Sequence, residues 1–115
     1  IPTLDVVVLG MGSDGHFASL FPQAPELNNG LDPANKARCI AVNPPAATSA
    51  RMSLTLSMLL TASKIYLLIV GEEKLKVLKK AKEQAQRACL SSLPIAAVLR
   101  QSNVPVHVFW SEVAN

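Results

Sequence analysis

Hydrophobic positions follow two rhythms along this chain. Residues 4–9 (Leu-Asp-Val-Val-Val-Leu) are a near-continuous run of Leu and Val that stops at Gly10, the pattern of a strand buried on both faces. Lys64–Val70 (Lys-Ile-Tyr-Leu-Leu-Ile-Val) repeats that pattern and stops at Gly71. Residues 38–42 and 104–110 predict two shorter strands, the first ended by Asn43-Pro44-Pro45. The other rhythm is helical. Residues 72–88 place Leu75, Leu78, Ala81 and Ala85 on one stripe with lysines around the opposite side. Residues 93–99 predict a short helix. Thr48 or Ser49 is suited to cap another that runs through Met52, Leu54, Leu56, Met58, Leu59 and Leu60. A brief helical stretch over residues 16–20 is closed by Phe21-Pro22. Residues 23–36, with two Pro, adjacent Asn28 and Asn29, and Gly30, predict a loop.

Strands that alternate with helical segments imply right-handed βαβ units. The expected class is therefore α/β, a Rossmann-like three-layer arrangement with a mostly parallel sheet and helices on both faces. Such sheets bind ligands beyond the carboxyl ends of their strands, which directs attention to the loops after Leu9 and Val70.

Composition narrows the class without changing the fold. The 115 residues are half hydrophobic and 17% charged with a net charge of +3, which fits a packed domain and excludes a disordered or collagen-like chain. Residues 1–115 are expected to form one α/β domain. No apolar run approaches the roughly 20 residues of a spanning helix, so no membrane association is expected. The first residues lack the basic stretch of a secretory leader, and Gly10 and Gly12 interrupt the apolar stretch behind them. The chain opens on Ile1, close to a strand of interior character, which suggests the later part of a longer chain. Cys39 and Cys89 stand far apart with no second cysteine or clustered histidine nearby, matching neither a zinc spacing nor a redox pair. They read as two reduced, partly buried thiols of a cytoplasmic protein. Five of the seven lysines lie between Lys74 and Lys82, in a chain only 4% aromatic. That describes a solvated helix face, and no nucleic-acid partner is expected.

The candidate chemistry sits in Gly10-Met11-Gly12-Ser13-Asp14-Gly15. Directly after a strand this matches the glycine fingerprint of dinucleotide-binding folds. That reading requires an acidic residue about 20 positions on, at the end of the next strand. Here that strand ends at Asn43, and Glu26 and Asp32 lie in the Pro-rich loop. Read physically, a strand-end loop rich in glycine brings backbone N–H groups close to a ligand, and a helix start behind it adds a positive dipole end. Asp14 and His16 stand two apart. On spacing alone they are either a carboxylate that orients a histidine base or an N-cap beside a packing histidine.

The longer string through His16-Phe17-Ala18-Ser19-Leu20-Phe21-Pro22 resembles the signature of the 6-phosphogluconolactonases, which form a wider group with glucosamine-6-phosphate deaminases and isomerase-like sugar-phosphate proteins. Arg51-Met52-Ser53-Leu54-Thr55-Leu56, Ile69-Val70-Gly71-Glu72-Glu73-Lys74, and Leu93-Pro94 before the last strand resemble the family's later motifs in order. The resemblance covers the C-terminal half of such chains. The deaminases carry Asn-Glu-Pro where this chain has Leu20, Phe21 and Pro22, and phenylalanine relays no proton.

The resemblance implies hydrolysis of 6-phospho-D-glucono-1,5-lactone to 6-phosphogluconate in the oxidative pentose phosphate pathway. No cofactor or metal is needed, and the partner is the phosphorylated lactone. His16 would be the general base, oriented by Asp14. Gly10, Gly12 and Ser13 would line the substrate, with N–H groups around Gly12 facing the oxyanion. Lys74 would grip the phosphate. It stands in the first turn of a helix, where a cation is electrostatically disfavoured unless an anion is bound; the alternative is a solvated lysine offset by Glu72 and Glu73. Arg51 is either a further ligand or a local cap. His107 reads as a partly exposed strand residue and Trp110 as packing. The competing functions are a sugar-phosphate isomerase or deaminase and a non-catalytic sugar-phosphate-binding domain.

Overall fold

The computed structural model describes residues 3–45, 49–87 and 93–113. In chain order the elements are β1 (Val6–Gly10), α1 (Leu27–Leu31), β2 (Cys39–Val42), β3 (Arg51–Leu54), α2 (Leu56–Leu59), β4 (Lys64–Val70), α3 (Glu72–Gln86), α4 (Ile95–Arg100) and β5 (Val106–Ser111). β1, β4 and β5 form a parallel sheet with β4 in the centre. β2 and β3 form a separate antiparallel ribbon. The architecture is the mostly parallel α/β expected.

Pleating sends alternate side chains of the sheet to opposite faces. Val7, Leu9, Ile65, Leu67 and Ile69 are buried on one face, in a single core with Leu78 and Ala81 of α3 and four consecutive buried residues of α4. Buried leucines of α1 and α2 belong to the same core. The opposite face carries Val6, Val8, Leu68, Val70 and Phe109, all exposed, beside half-buried Tyr66. The helices expected on both faces are thus found on one among the described residues, because every helix there contributes its buried side to the same core.

Four local expectations are corrected. Residues 51–54 are strand, not helix: Met52, Leu54, Leu56 and Met58 alternate with Ser53, Thr55 and Ser57, and that period of two wins over residues 51–54. The helix begins only at Leu56, with the Thr55 side chain as its cap, accepting the Met58 N–H at 3.2 Å. Ser49 precedes β3, and Thr48 lies outside the described residues. Residues 16–20 are a tight turn closed by a bridge between Phe17 and Leu20, since Ala18 adopts φ 51°, which no right-handed helix allows. Residues 27–31, expected as loop, are helical. α3 matches its predicted stripe and is helical through Gln86; Ala88 lies outside the described residues. Cys39 is a free, exposed thiol rather than a partly buried one, and Cys89 lies outside the described residues.

Candidate functional site

β1 and β4 run parallel with Gly10 opposite Leu68, so the loop after β1 and the start of α3 after β4 emerge side by side. The loop is fastened by its own hydrogen bonds. The Gly12 N–H donates to the His16 carbonyl and the Gly15 N–H to the Gly12 carbonyl, each at 2.9 Å. One oxygen of Asp14, Oδ1, accepts both the His16 backbone N–H at 3.1 Å and His16 Nδ1 at 2.5 Å. Partial burial pushes the Asp14 carboxyl up, but the hydrogen bonds from His16 and the nearby imidazole charge outweigh it and hold the group below its ordinary value of 3.8. An ionised Asp14 fixes the proton on Nδ1, which leaves Nε2 as the acceptor of the neutral ring.

Among the N–H groups around Gly12, that of Gly12 itself is engaged by the His16 carbonyl. The requirement for glycine at this position is steric: a Cβ there would stand 2.2 Å from His16 Cε1 and 2.9 Å from Asp14 Oδ1. No helix follows the loop directly, so the dipole expected behind it comes instead from α3.

α3 starts at Gly71, whose φ of 93° and ψ of 156° suit glycine alone. The Gly71 N–H donates to the Ser111 carbonyl at 2.9 Å, and the Gly71 carbonyl accepts Trp110 Nε1–H at the same distance. Trp110, expected as packing, is exposed and fastens the turn that aims α3. Its polar role depends on a contact between β5 and the end of β4 that no local pattern announces. Gly71→Ala is expected to destabilise the protein by about 1–3 kcal/mol in denaturant unfolding through backbone strain alone, since a Cβ there meets nothing within 4 Å.

Lys74, half-buried in the first turn of α3, meets His16 at one cavity of about 490 Å³, together with Gly10, Gly12 and Ala18. Among the described residues no carboxylate lies within ion-pair distance of Lys74, including Glu72 and Glu73. Ser13 is exposed and outside this lining. Arg51 also lies outside it: its guanidinium stands over the Phe21 ring, 5.9 Å from the centroid. Phe21 in turn stacks on His16, with ring centroids 4.3 Å apart. His107 is exposed beside Tyr66 on β5. A separate hollow of about 360 Å³ is walled by Leu31, Leu56, Leu60 and Ala97, and Arg100 is the charged residue that borders it among the described residues. Among the described residues no group of three His, Cys, Asp or Glu side chains is placed to hold a metal ion. No helix there is long and apolar enough to cross a membrane.

Residues 1–110 match the family model described as glucosamine-6-phosphate isomerases/6-phosphogluconolactonase. The chain is 41% identical over 110 residues to a 6-phosphogluconolactonase of Pseudomonas putida, covering 96% of this chain and 43% of that protein. It is 43% identical over 109 residues to one of Caulobacter vibrioides, covering 93% and 44%. Among solved structures, a 6-phosphogluconolactonase from Shewanella baltica superposes with a TM-score of 0.84 at 47% identity, over 92% of this chain and 43% of the other. The chain spans less than half the length of these relatives.

Proposed function

The chain belongs to the family of glucosamine-6-phosphate isomerases and 6-phosphogluconolactonases, and on that premise we propose that it carries the catalytic end of an enzyme that hydrolyses 6-phospho-D-glucono-1,5-lactone to 6-phosphogluconate. The observation that carries the reading is the meeting, at one cavity, of the Asp14–His16 pair and a Lys74 with no carboxylate partner among the described residues. His16 Nε2 takes a proton from water as its oxygen attacks the lactone carbonyl carbon, and Asp14 stabilises the imidazolium that forms. The tetrahedral intermediate collapses by breaking the bond to the ring oxygen, which receives the proton from His16. The new carboxylic acid releases its remaining proton to solvent, giving carboxylate and hydroxyl products. Lys74 and the first-turn N–H groups of α3 hold the phosphate. Phe21 beside His16 supports the lactonase over the deaminase reading, because it supplies no second proton relay. The bare face of the sheet supports the placement of this chain as the C-terminal portion of a longer single domain.

The test generates the lactone in situ from glucose 6-phosphate and follows its loss against spontaneous hydrolysis with the full-length protein. Acceleration well above that background is expected. Loss at the spontaneous rate, with the protein folded, would reject the lactonase reading.

A further inference from the structure

We propose that Phe21 is a positioning residue that holds the His16 imidazole in one orientation, with Nδ1 on Asp14 and Nε2 left for the substrate water; this rests on the reading of His16 as the base. Asp14 grips the ring at a single atom, and the His16 side chain is 29% exposed. One hydrogen bond leaves the ring able to swing about that contact. A face-on neighbour removes the freedom, and Phe21 supplies it at 4.3 Å between centroids with 27° between planes. Gly12 closes the Nδ1–Cε1 edge, where no Cβ would fit.

The backbone that delivers Phe21 is built for the purpose. Phe17 and Leu20 are fully buried and bridge to each other, anchoring the turn in the core. Ala18 and Gln23, on either side of Phe21, adopt φ of 51° and 64°, left-handed values that persist in non-glycine residues only where the surroundings impose them. The Ser19 N–H donates to buried Ser53 Oγ of β3 at 3.1 Å. Arg51, two residues before Ser53 on the same strand, places its guanidinium over the Phe21 ring. Phe21 itself is only half-buried. A ring serving the core alone would lie inside with Phe17 and Leu20. This one faces the imidazole.

The experiment compares Phe21→Leu and Phe21→Tyr with wild type in the full-length protein, by steady-state kinetics and by ¹⁵N NMR of the neutral His16 ring. Phe21→Leu is expected to lower kcat about 10- to 100-fold with KM within about twofold, the signature of a misplaced group rather than lost binding. Its NMR signals are expected to move from a single Nδ1–H tautomer toward a mixture, and Phe21→Tyr to restore both readouts. Unchanged kcat in Phe21→Leu, an unchanged tautomer, or a KM rise equal to the kcat fall would each overturn the proposal. A wild-type protein without lactonase activity would refute the function proposed above, and the NMR comparison would then decide the role of Phe21 by itself.

Discussion

Replacement of His16 by alanine is expected to lower kcat for the phosphorylated lactone by about 10²- to 10⁴-fold while product affinity stays near wild type, the range typical for loss of a general base. The geometry separates the two effects. His16 is tied to Asp14 and borders the cavity, whereas Lys74, proposed above to hold the phosphate, comes from a different element. On the proposed roles, removing the imidazole deletes the proton acceptor and leaves Lys74 in place. A stopped assay corrected for spontaneous hydrolysis gives kcat, and calorimetry with 6-phosphogluconate gives the affinity. Turnover retained within a few-fold would remove His16 from the role of base. Asp14→Asn is a finer version of the same test. The amide keeps the shape of the carboxylate but does not stabilise an imidazolium, so its fall in kcat is expected in the same direction with a folded protein.

The second large effect belongs to Lys74. Lys74→Ala is expected to raise KM for the phosphorylated lactone about 10- to 100-fold, as expected for a lost charge-assisted hydrogen bond of about 1.5–3 kcal/mol. KM for the unphosphorylated gluconolactone is expected to stay within about twofold, because uniform binding through the phosphate is absent in that substrate. The physical basis is that a half-buried cation at the positive end of a 15-residue helix, in the same turn as Glu72 and Glu73 but ion-paired to no carboxylate among the described residues, gains more from an arriving anion than a paired lysine would. Equal changes for both lactones would assign Lys74 to helix packing instead of phosphate recognition.

Much of this arrangement is readable from the residues, and the unreadable part has identifiable causes. β1, β4 and α3 follow from local pattern because each is long or strongly periodic, and they carry the loop, the strand ends and Lys74. The Met52-Ser53-Leu54-Thr55-Leu56 alternation is a strand signal overshadowed by the density of apolar residues around it. α1 is concealed by Gly30, a poor helix former whose presence is tertiary: a Cβ there would lie 2.5 Å from Leu20 Cδ2 and 3.0 Å from Ile40 Cδ1. The turn at residues 16–20 depends on a left-handed Ala18, and alanine gives no local sign of that conformation. At the site, Asp14, His16 and Lys74 come from motif position. The Trp110 bond to Gly71 joins segments distant in sequence, and the Phe21 stack follows from the left-handed turn between residues 16 and 21, so only the folded chain reveals them.

The parallel pairing of β1 with β4 sets Val6 against Lys64, so the two halves of the cavity belong to segments separated by the whole β2–β3 ribbon. Closing so long an excursion has to precede the meeting of His16 and Lys74 at the cavity, and such non-local parallel pairing is intrinsically slow. On the proposed function, heat inactivation is expected to track rupture of this pairing rather than local fraying, and residual activity over time is expected to report on the unfolding rate.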